Sequence, residues 1–134
     1  MLSKKKIICP NNLLEIAKKK GPVKAVIVNA GKKVALESAK QAVEANLIIP
    51  VLVGDKTIIN KIAKEINWDI SKYEVIHEAI ENNTAPIAAK LASEEKVKII
   101  VKGHIHTDVL MKAVLKRDLN LIGKKRLSHI WHMT

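Results

Sequence analysis

The chain has 134 residues, which is enough for one domain with a single hydrophobic core. Its apolar content of 48% must come from aliphatic side chains, because the sequence has no Phe, two Trp and one Tyr. The formal net charge of +11 would favour phosphate-rich partners, but 22 of the 24 basic residues are Lys. Arg for bidentate contacts and aromatic rings for base stacking are scarce, so we predict no nucleic-acid partner.

The N-terminal segment and the cysteine content indicate the cellular compartment of the protein. Cys9 is the one cysteine, so no intrachain disulfide can form and a reducing compartment is expected. We interpret Cys9 as a small apolar filler. The apolar run at residues 7–9 is too short for a signal peptide or a membrane span. The sequence therefore predicts a cytoplasmic protein without a membrane partner.

The predicted elements alternate between helices and strands. A first helix covers about Asn12–Lys20 and ends at Gly21-Pro22. Short β-branched runs predict the strands, which are Val23–Asn29, Ile48–Gly54, Tyr73–Ala79, Val97–Gly103 and Leu127–Met133. Amphipathic stretches predict the intervening helices, which are Lys32–Asn46, Asp55–Asn67, Asn83–Lys96 and Thr107–Asp118. We expect Asp55, either Thr84 or Asn83, and Thr107 to cap the last three helices.

This alternation predicts an α/β fold of three layers, with helices on both faces of a mostly parallel sheet. The strands "AVIV" and "KIIV" are continuously apolar, as is typical of a sheet that is covered on both sides. We find no linker or repeat, so residues 1–134 are predicted to form a single α/β domain. The fifth strand ends the chain without a helix to cover it.

Ligands of such sheets bind beyond the carboxyl ends of the strands, where helix N-termini attract anions. Basic or glycine-containing turns follow the predicted strands as "NAGKKVA", "VGDKT" and "KGHIHTD", and "GKKR" precedes the last strand. The motifs GxxxxGK[ST], GxGxxG and GxSxG are absent. Walker-type ATP hydrolysis, ordinary dinucleotide binding and a hydrolase nucleophile elbow are therefore disfavoured.

Two alternatives concern the turn after the fourth strand. His104 and His106 could begin a metal site, but zinc needs at least a third ligand and a defined second shell, for which only Asp108 could supply a carboxylate, so we predict no metal. Asp108 also suits the first turn of a helix. Lys112 either forms an ion pair with Asp108 or contacts a phosphate, and the sequence leaves both open. His77 is interpreted as an ordinary strand position.

The segment "VKGHIHTDVLMKAVLKRDLNLIGKKRLSHIWHM" resembles the phosphate acetyl- and butyryltransferases, which read M-K-G-x-x-H-T-D-x-L, a helix, a basic turn and R-[IV]-S-H-[VI]. It is most similar to the branch that is fused to an enoyl-CoA hydratase-like domain. The upstream segment "ALESAKQAVEANLIIPVLVGDKTIINKIAKEINWDISKYEVIHEA" is similar to the same family's early part. The resemblance extends over about Pro22–Met133.

The resemblance implies transfer of an acyl group from acyl-CoA to phosphate, in a cleft between two domains of an isocitrate/isopropylmalate dehydrogenase-like fold. It implies CoA and acyl phosphate as substrates, with no further cofactor. The residues expected to bind CoA, phosphate or acyl oxygens are Gly31, Lys32, Lys102, Gly103, His106, Thr107, Asp108, Lys112, Arg126, Ser128 and His129. Family members usually form dimers, so a homo-oligomer or pairing with a C-terminal half is expected.

Departures from the family pattern qualify this expectation. Family members are about twice as long, beyond the size of one ordinary domain. Their second domain carries the serine, arginine and aspartate usually credited with the chemistry, and this sequence ends before it. We therefore predict that the chain alone is inactive. Two alternatives remain open, namely a non-catalytic module that binds CoA or a phosphorylated ligand, and a remnant that self-associates through its last strand.

Overall fold

The computed structural model of the protein describes residues 9–124, 126–128 and 130. Five α-helices and four β-strands alternate in these ranges, and a short 3-10 helix follows them. The elements are α1 (Asn11–Lys20), β1 (Val23–Val28), α2 (Lys33–Glu44), β2 (Ile48–Gly54), α3 (Lys56–Glu65), β3 (Glu74–His77), α4 (Glu81–Ser93), β4 (Ile99–Lys102), α5 (Thr107–Val114) and the 3-10 helix Arg117–Leu119. No helix of the described residues is both long and apolar enough to cross a membrane.

The four strands form one sheet in the order β3-β2-β1-β4, and all neighbours are parallel. The central strand β1 is buried from Ala25 to Val28, because it has a neighbour on each side and helices above and below. β3 and β4 lie at the two edges of this sheet and are shorter than predicted. The predicted parallel α/β arrangement is confirmed.

Side chains on successive strand positions point to opposite faces of the sheet, and each face carries its own core. Ile27 and Leu52 pack with buried residues of α2 and α3, and we call this side the α2/α3 face. Val26 and Val53 pack with α4 and α5 on the other side, the α4/α5 face. The predicted three-layer architecture with helices on both faces is therefore confirmed. Both cores are almost wholly aliphatic, as the composition requires.

Helix α4 begins earlier than predicted. It starts at Glu81 after Ile80, so neither Thr84 nor Asn83 is its cap. Thr84 is instead fully buried, and its Oγ1 donates to the Glu81 carbonyl oxygen at 2.6 Å. A threonine hydroxyl can form such a bond inside the first turn of a helix, which satisfies a buried polar group without any cap.

The C-terminal part of the chain differs most from the prediction. α5 ends at Val114, and the predicted remainder of that helix is replaced by the 3-10 helix. The fifth strand, predicted at Leu127–Met133, is not found in its described residues. Leu127, Ser128 and Ile130 belong to no strand and are exposed, and the other residues of that prediction lie outside the described ranges. Cys9 is also exposed, so its interpretation as an apolar filler is wrong.

The predicted cap of α3 is confirmed. Asp55 Oδ1 accepts from the backbone N–H of Thr57 at 2.8 Å and of Ile58 at 3.2 Å. Asp55→Ala removes both bonds and should lower the free energy of unfolding by about 1 kcal/mol, measured by urea denaturation. Asp55→Asn keeps an acceptor at this position and should stay within about 0.5 kcal/mol of the parent. An equal loss in both variants would mean that charge, rather than capping, stabilises this helix.

Candidate functional site

The carboxyl ends of the four strands meet at one edge of the sheet. Val28, the last residue of β1, is opposite Val53 of β2 and Lys102 of β4. Gly54 at the end of β2 is opposite His77 at the end of β3. The turns after these strands therefore lie side by side, and we call this surface the carboxyl edge. It is the position at which open parallel sheets bind ligands.

Asn29 connects three of these strand ends. It follows β1 in the left-handed conformation, with φ of 51°, which asparagine tolerates better than most residues. Its backbone oxygen accepts from the His104 N–H at 3.2 Å, and its side-chain Nδ2 donates to the His104 carbonyl oxygen. Asn29 Oδ1 also lies beside Gly31 and Gly54. One side chain thus holds the turn after β4 against the turns after β1 and β2.

Gly103 is required by this close approach. Its N–H donates to the Val28 carbonyl oxygen at 2.9 Å. A Cβ at Gly103 would collide with that same oxygen and would lie 2.7 Å from the Asn29 carbonyl oxygen. Any larger residue would push the turn after β4 away from β1, so glycine is a packing requirement here.

The N-termini of the helices at this edge differ in whether their N–H groups are already satisfied. The first three N–H groups of α3 have side-chain acceptors, because Asp55 accepts two and His77 Nδ1 accepts from Lys56 N–H at 3.1 Å. The caps of α2 and α5 are Lys32 and His106, and neither makes a side-chain cap bond. α4, which follows β3, has no side-chain cap bond either, but Glu81 in its first turn adds a negative charge. Among the four helices that begin at this edge, α2 and α5 therefore present N–H donors without a side-chain acceptor or an acidic cap, which favours an anion.

Four of the predicted site residues, from the ends of the first and fourth strands, are brought together. Gly31 adjoins Asn29, and Lys32, Lys102, Gly103 and His104 line one groove that opens at the carboxyl edge. Lys32 and Lys102 are both exposed. Two ammonium groups and one open helix N-terminus thus surround the end of the groove.

His106, Thr107 and Asp108 of the predicted site lie at the exposed start of α5, and Lys112 lies in its last turn. His106, rather than Thr107, is the cap, so the predicted role of Thr107 as a cap is wrong. Asp108 Oδ2 is 3.5 Å from Lys112 Nζ, and both side chains are mostly exposed. This geometry favours the ion-pair alternative for Lys112 over a phosphate contact.

The remaining predicted residues come from the C-terminal segment. Arg126 and Ser128 are exposed and belong to no helix or strand, and His129 lies outside the described ranges. Among the residues that are described, no three His, Cys, Asp or Glu side chains are grouped as a metal would need.

Sequence reasoning missed two residues of the carboxyl edge. Asn29 is in "VNAG", where an asparagine directly after a strand could have indicated the left-handed turn. His77 is the last residue of β3 and bonds the N-terminus of α3, so its interpretation as an ordinary strand position is wrong. The signal available for His77 was its position at the end of the third strand.

The fold and this edge define a class, an open parallel α/β protein whose carboxyl edge has basic side chains and helix N-termini without a side-chain cap bond. No model of a known protein family matches the chain. It is 38% identical over 112 residues to a phosphate acetyltransferase from Rickettsia felis, covering 84% of this chain and 32% of that protein. It is 32% identical over 120 residues to a phosphate butyryltransferase from Clostridium beijerinckii, covering 90% of this chain and 40% of that protein.

A solved phosphotransacetylase from Streptococcus pyogenes has the same fold, with a TM-score of 0.65 and 12% sequence identity over 81% of this chain and 42% of that one. The chain is therefore homologous to one segment of the phosphate acetyl- and butyryltransferases, and the predicted resemblance is confirmed. It spans between 32% and 40% of the length of these two curated relatives.

Gly103→Ala should lower the free energy of unfolding by about 1–3 kcal/mol, because the new methyl group collides with two carbonyl oxygens of β1 and its turn. Gly31→Ala is the matched control. Its Cβ would be 3.7 Å from Ile58 Cγ2, an ordinary contact, so its stability should change by less than about 0.5 kcal/mol. Urea denaturation measures both, and equal effects would contradict the close approach at Gly103.

Proposed function

We propose that this chain forms the phosphate- and CoA-binding part of an acyl-CoA:phosphate acyltransferase, acting together with further polypeptide that carries the remaining catalytic groups. The observation that supports this most directly is the carboxyl edge, where Asn29 and Gly103 hold Lys32 and Lys102 beside open helix N-termini. The relatives are named for transfer of acetyl or butyryl groups to or from phosphate. No cofactor besides the substrates is proposed.

In the proposed reaction, an oxygen of inorganic phosphate attacks the thioester carbonyl of acyl-CoA. The C–S bond then breaks, so that the acyl carbon is bonded to the phosphate oxygen as acyl phosphate. The CoA sulfur takes up the proton that the phosphate loses and leaves as the free thiol. Negative charge is present on both substrates throughout and develops on the carbonyl oxygen in the transition state. Donors and cations fixed before the reaction stabilise such charge most effectively.

The residues of this chain suit the binding part of that reaction. Lys32 and Lys102 supply two ammonium groups, and the N-termini of α2 and α5 supply backbone donors. His106 is exposed at the start of α5 and can donate to a phosphate or acyl oxygen. No described residue combines with another as nucleophile and base, so this chain's proposed role is to bind and orient the substrates.

The proposal includes an assembly larger than this chain. The chain spans about a third of the Rickettsia felis relative, and the rest of that length would carry the catalytic serine, arginine and aspartate that the resemblance implies. Self-association, or pairing with a chain that supplies this remainder, is part of the proposal. The cytoplasmic location predicted from the sequence stays a prediction.

Binding of CoA by the isolated chain tests the proposal, with isothermal titration calorimetry as the measurement. Lys102→Gln should weaken CoA binding about fivefold, because an exposed ion contact contributes about 1 kcal/mol and is screened by salt. Lys61→Gln removes the same charge from the exposed surface of α3 and should change the affinity less than about twofold. Absence of CoA binding, or equal effects of both variants, would contradict the proposed site.

Transfer activity needs a separate measurement. The isolated chain should show no turnover of acetyl-CoA with phosphate. A chimera in which this chain replaces the matching segment of the Rickettsia felis phosphate acetyltransferase should form acetyl phosphate, and Lys102→Gln should reduce that activity. If a chimera is folded by circular dichroism and binds CoA but forms no acetyl phosphate, the transferase role would be excluded. The remaining interpretation would be a module that binds CoA without catalysis.

A further inference from the structure

A groove of about 730 Å³ lies on the α2/α3 face, between α1 and α2. Its floor is formed by side chains of β1 and β4, among them Ile27, Ile99 and Val101. It runs from the amino ends of these strands, at Val23, to the carboxyl edge. β1 has six residues, so the groove extends for about 20 Å along the strand direction. This volume is in the range of small-molecule sites.

Small side chains on the two helices leave this space unfilled. α2 presents Ala35, Ser38, Ala39 and Ala42 to the groove, and α1 presents Ala17. α1 buries none of its residues, so it stands away from the sheet instead of packing into it. Aliphatic side chains at the margin are correspondingly exposed, with Val34 at 74% and Ile99 at 42%. A ligand lying here would cover apolar surface that is now in contact with water.

The charges around the groove have one sign. Its lining contains Lys20 at one end and Lys32 and Lys102 at the other, and none of the described lining residues is Asp or Glu. The end at the carboxyl edge also has the uncapped N-terminus of α2. The groove is therefore apolar along its length and attracts a negative charge at its ends, most strongly where the two lysines and the helix N-terminus coincide.

A second depression, beside β3, has a different character. It contains Lys56 and Lys64, but also the carboxylate of Asp69. The backbone N–H of Ser71 bonds to Asp69 Oδ1 at 2.9 Å and lowers the pKa of this carboxyl, so Asp69 stays ionised. An anion in that depression would be repelled by a fixed negative charge, so we do not expect anion binding there.

We infer that the groove binds an unbranched aliphatic carboxylate, with its head group beside Lys32 and Lys102 and its chain over Ile27 and Val101. An extended peptide on the same floor would face aliphatic side chains with backbone groups that need hydrogen bonds. An aliphatic chain has no such groups. This inference goes beyond the proposed transferase function and does not depend on it, because the isolated chain should bind the ligand without any reaction.

The first test compares ligands by isothermal titration calorimetry on the full chain. Decanoate should bind with a stoichiometry of one, and decyltrimethylammonium, which has the same tail and the opposite charge, should bind at least about tenfold more weakly. Between hexanoate and decanoate, affinity should rise about fourfold for each added methylene, because each one leaves water for the groove. Equal binding of the two head groups would overturn the assignment of the charged end.

The second test fills the groove. Ser38 is exposed and lines the groove, whereas Gln41 is exposed on the same helix and does not. Ser38→Trp should weaken decanoate binding at least about tenfold, and Gln41→Trp should change it less than about twofold. Circular dichroism checks that both variants fold. Unchanged binding in a folded Ser38→Trp variant would overturn the inference.

The third test concerns the lysines and the competing occupant. The double variant Lys32→Gln with Lys102→Gln should weaken decanoate binding, while Lys33→Gln with Lys61→Gln, which removes the same charge elsewhere, should not.

Sedimentation of the chain without ligand tests whether a second copy of the chain occupies the groove. The proposal would be overturned if the chain is a dimer that is dissociated by Ser38→Trp but not by decanoate. That result would mean that the groove is an interface between copies. Loss of CoA binding with retained decanoate binding would contradict only the proposed function.

Discussion

The contact between the end of β1 and the turn after β4 determines what the carboxyl edge can bind. Asn29 accepts a bond from His104 and donates another to it, and Gly103 allows the two backbones to approach within hydrogen-bond distance. Without this contact, β4 would still pair with β1, but its lysine and the start of α5 would have no fixed relation to α2. The left-handed conformation of Asn29 is therefore more than a local turn, because it sets the positions of groups from two helices and two strands.

The helix N-termini at this edge differ in whether nearby side chains accept hydrogen bonds from their first N–H groups. α3 is satisfied within the chain, since Asp55 and His77 take its first N–H groups. α2 and α5 keep theirs open, and Lys32 and Lys102 add positive charge beside them. An anion is thus favoured next to β1 and β4 and disfavoured next to β2, where a carboxylate already occupies the helix end. The overall excess of lysine would not produce such a distinction by itself.

The sequence predicted features that depend on local pattern. The bounds of Ile48–Gly54 and the cap at Asp55 follow from apolar runs and from one side chain reaching its own helix, and both are found in the structure. The role of Asn29 depends on which strand lies beside β1, because its partner His104 is 75 positions away in the sequence. The residue pattern of a single segment does not indicate such a pairing. His77 was misjudged for the same reason. The predictions for the edge strands are too long by one or two residues at each end, because an edge strand is paired on one side only and the apolar pattern does not register where that pairing stops.

The groove and the carboxyl edge are properties of the same helix. The first turn of α2 supplies uncapped N–H groups at the edge, and its next two turns supply the small side chains that leave the groove open. A ligand that uses both must therefore place its charge at the N-terminus of α2 and its apolar part along the helix, because the reverse orientation would give up the two lysines and the helix N-terminus. The charged contribution should weaken with salt, while the apolar one should not, so the two contributions are separable in one molecule. An unbranched aliphatic carboxylate has this division of properties.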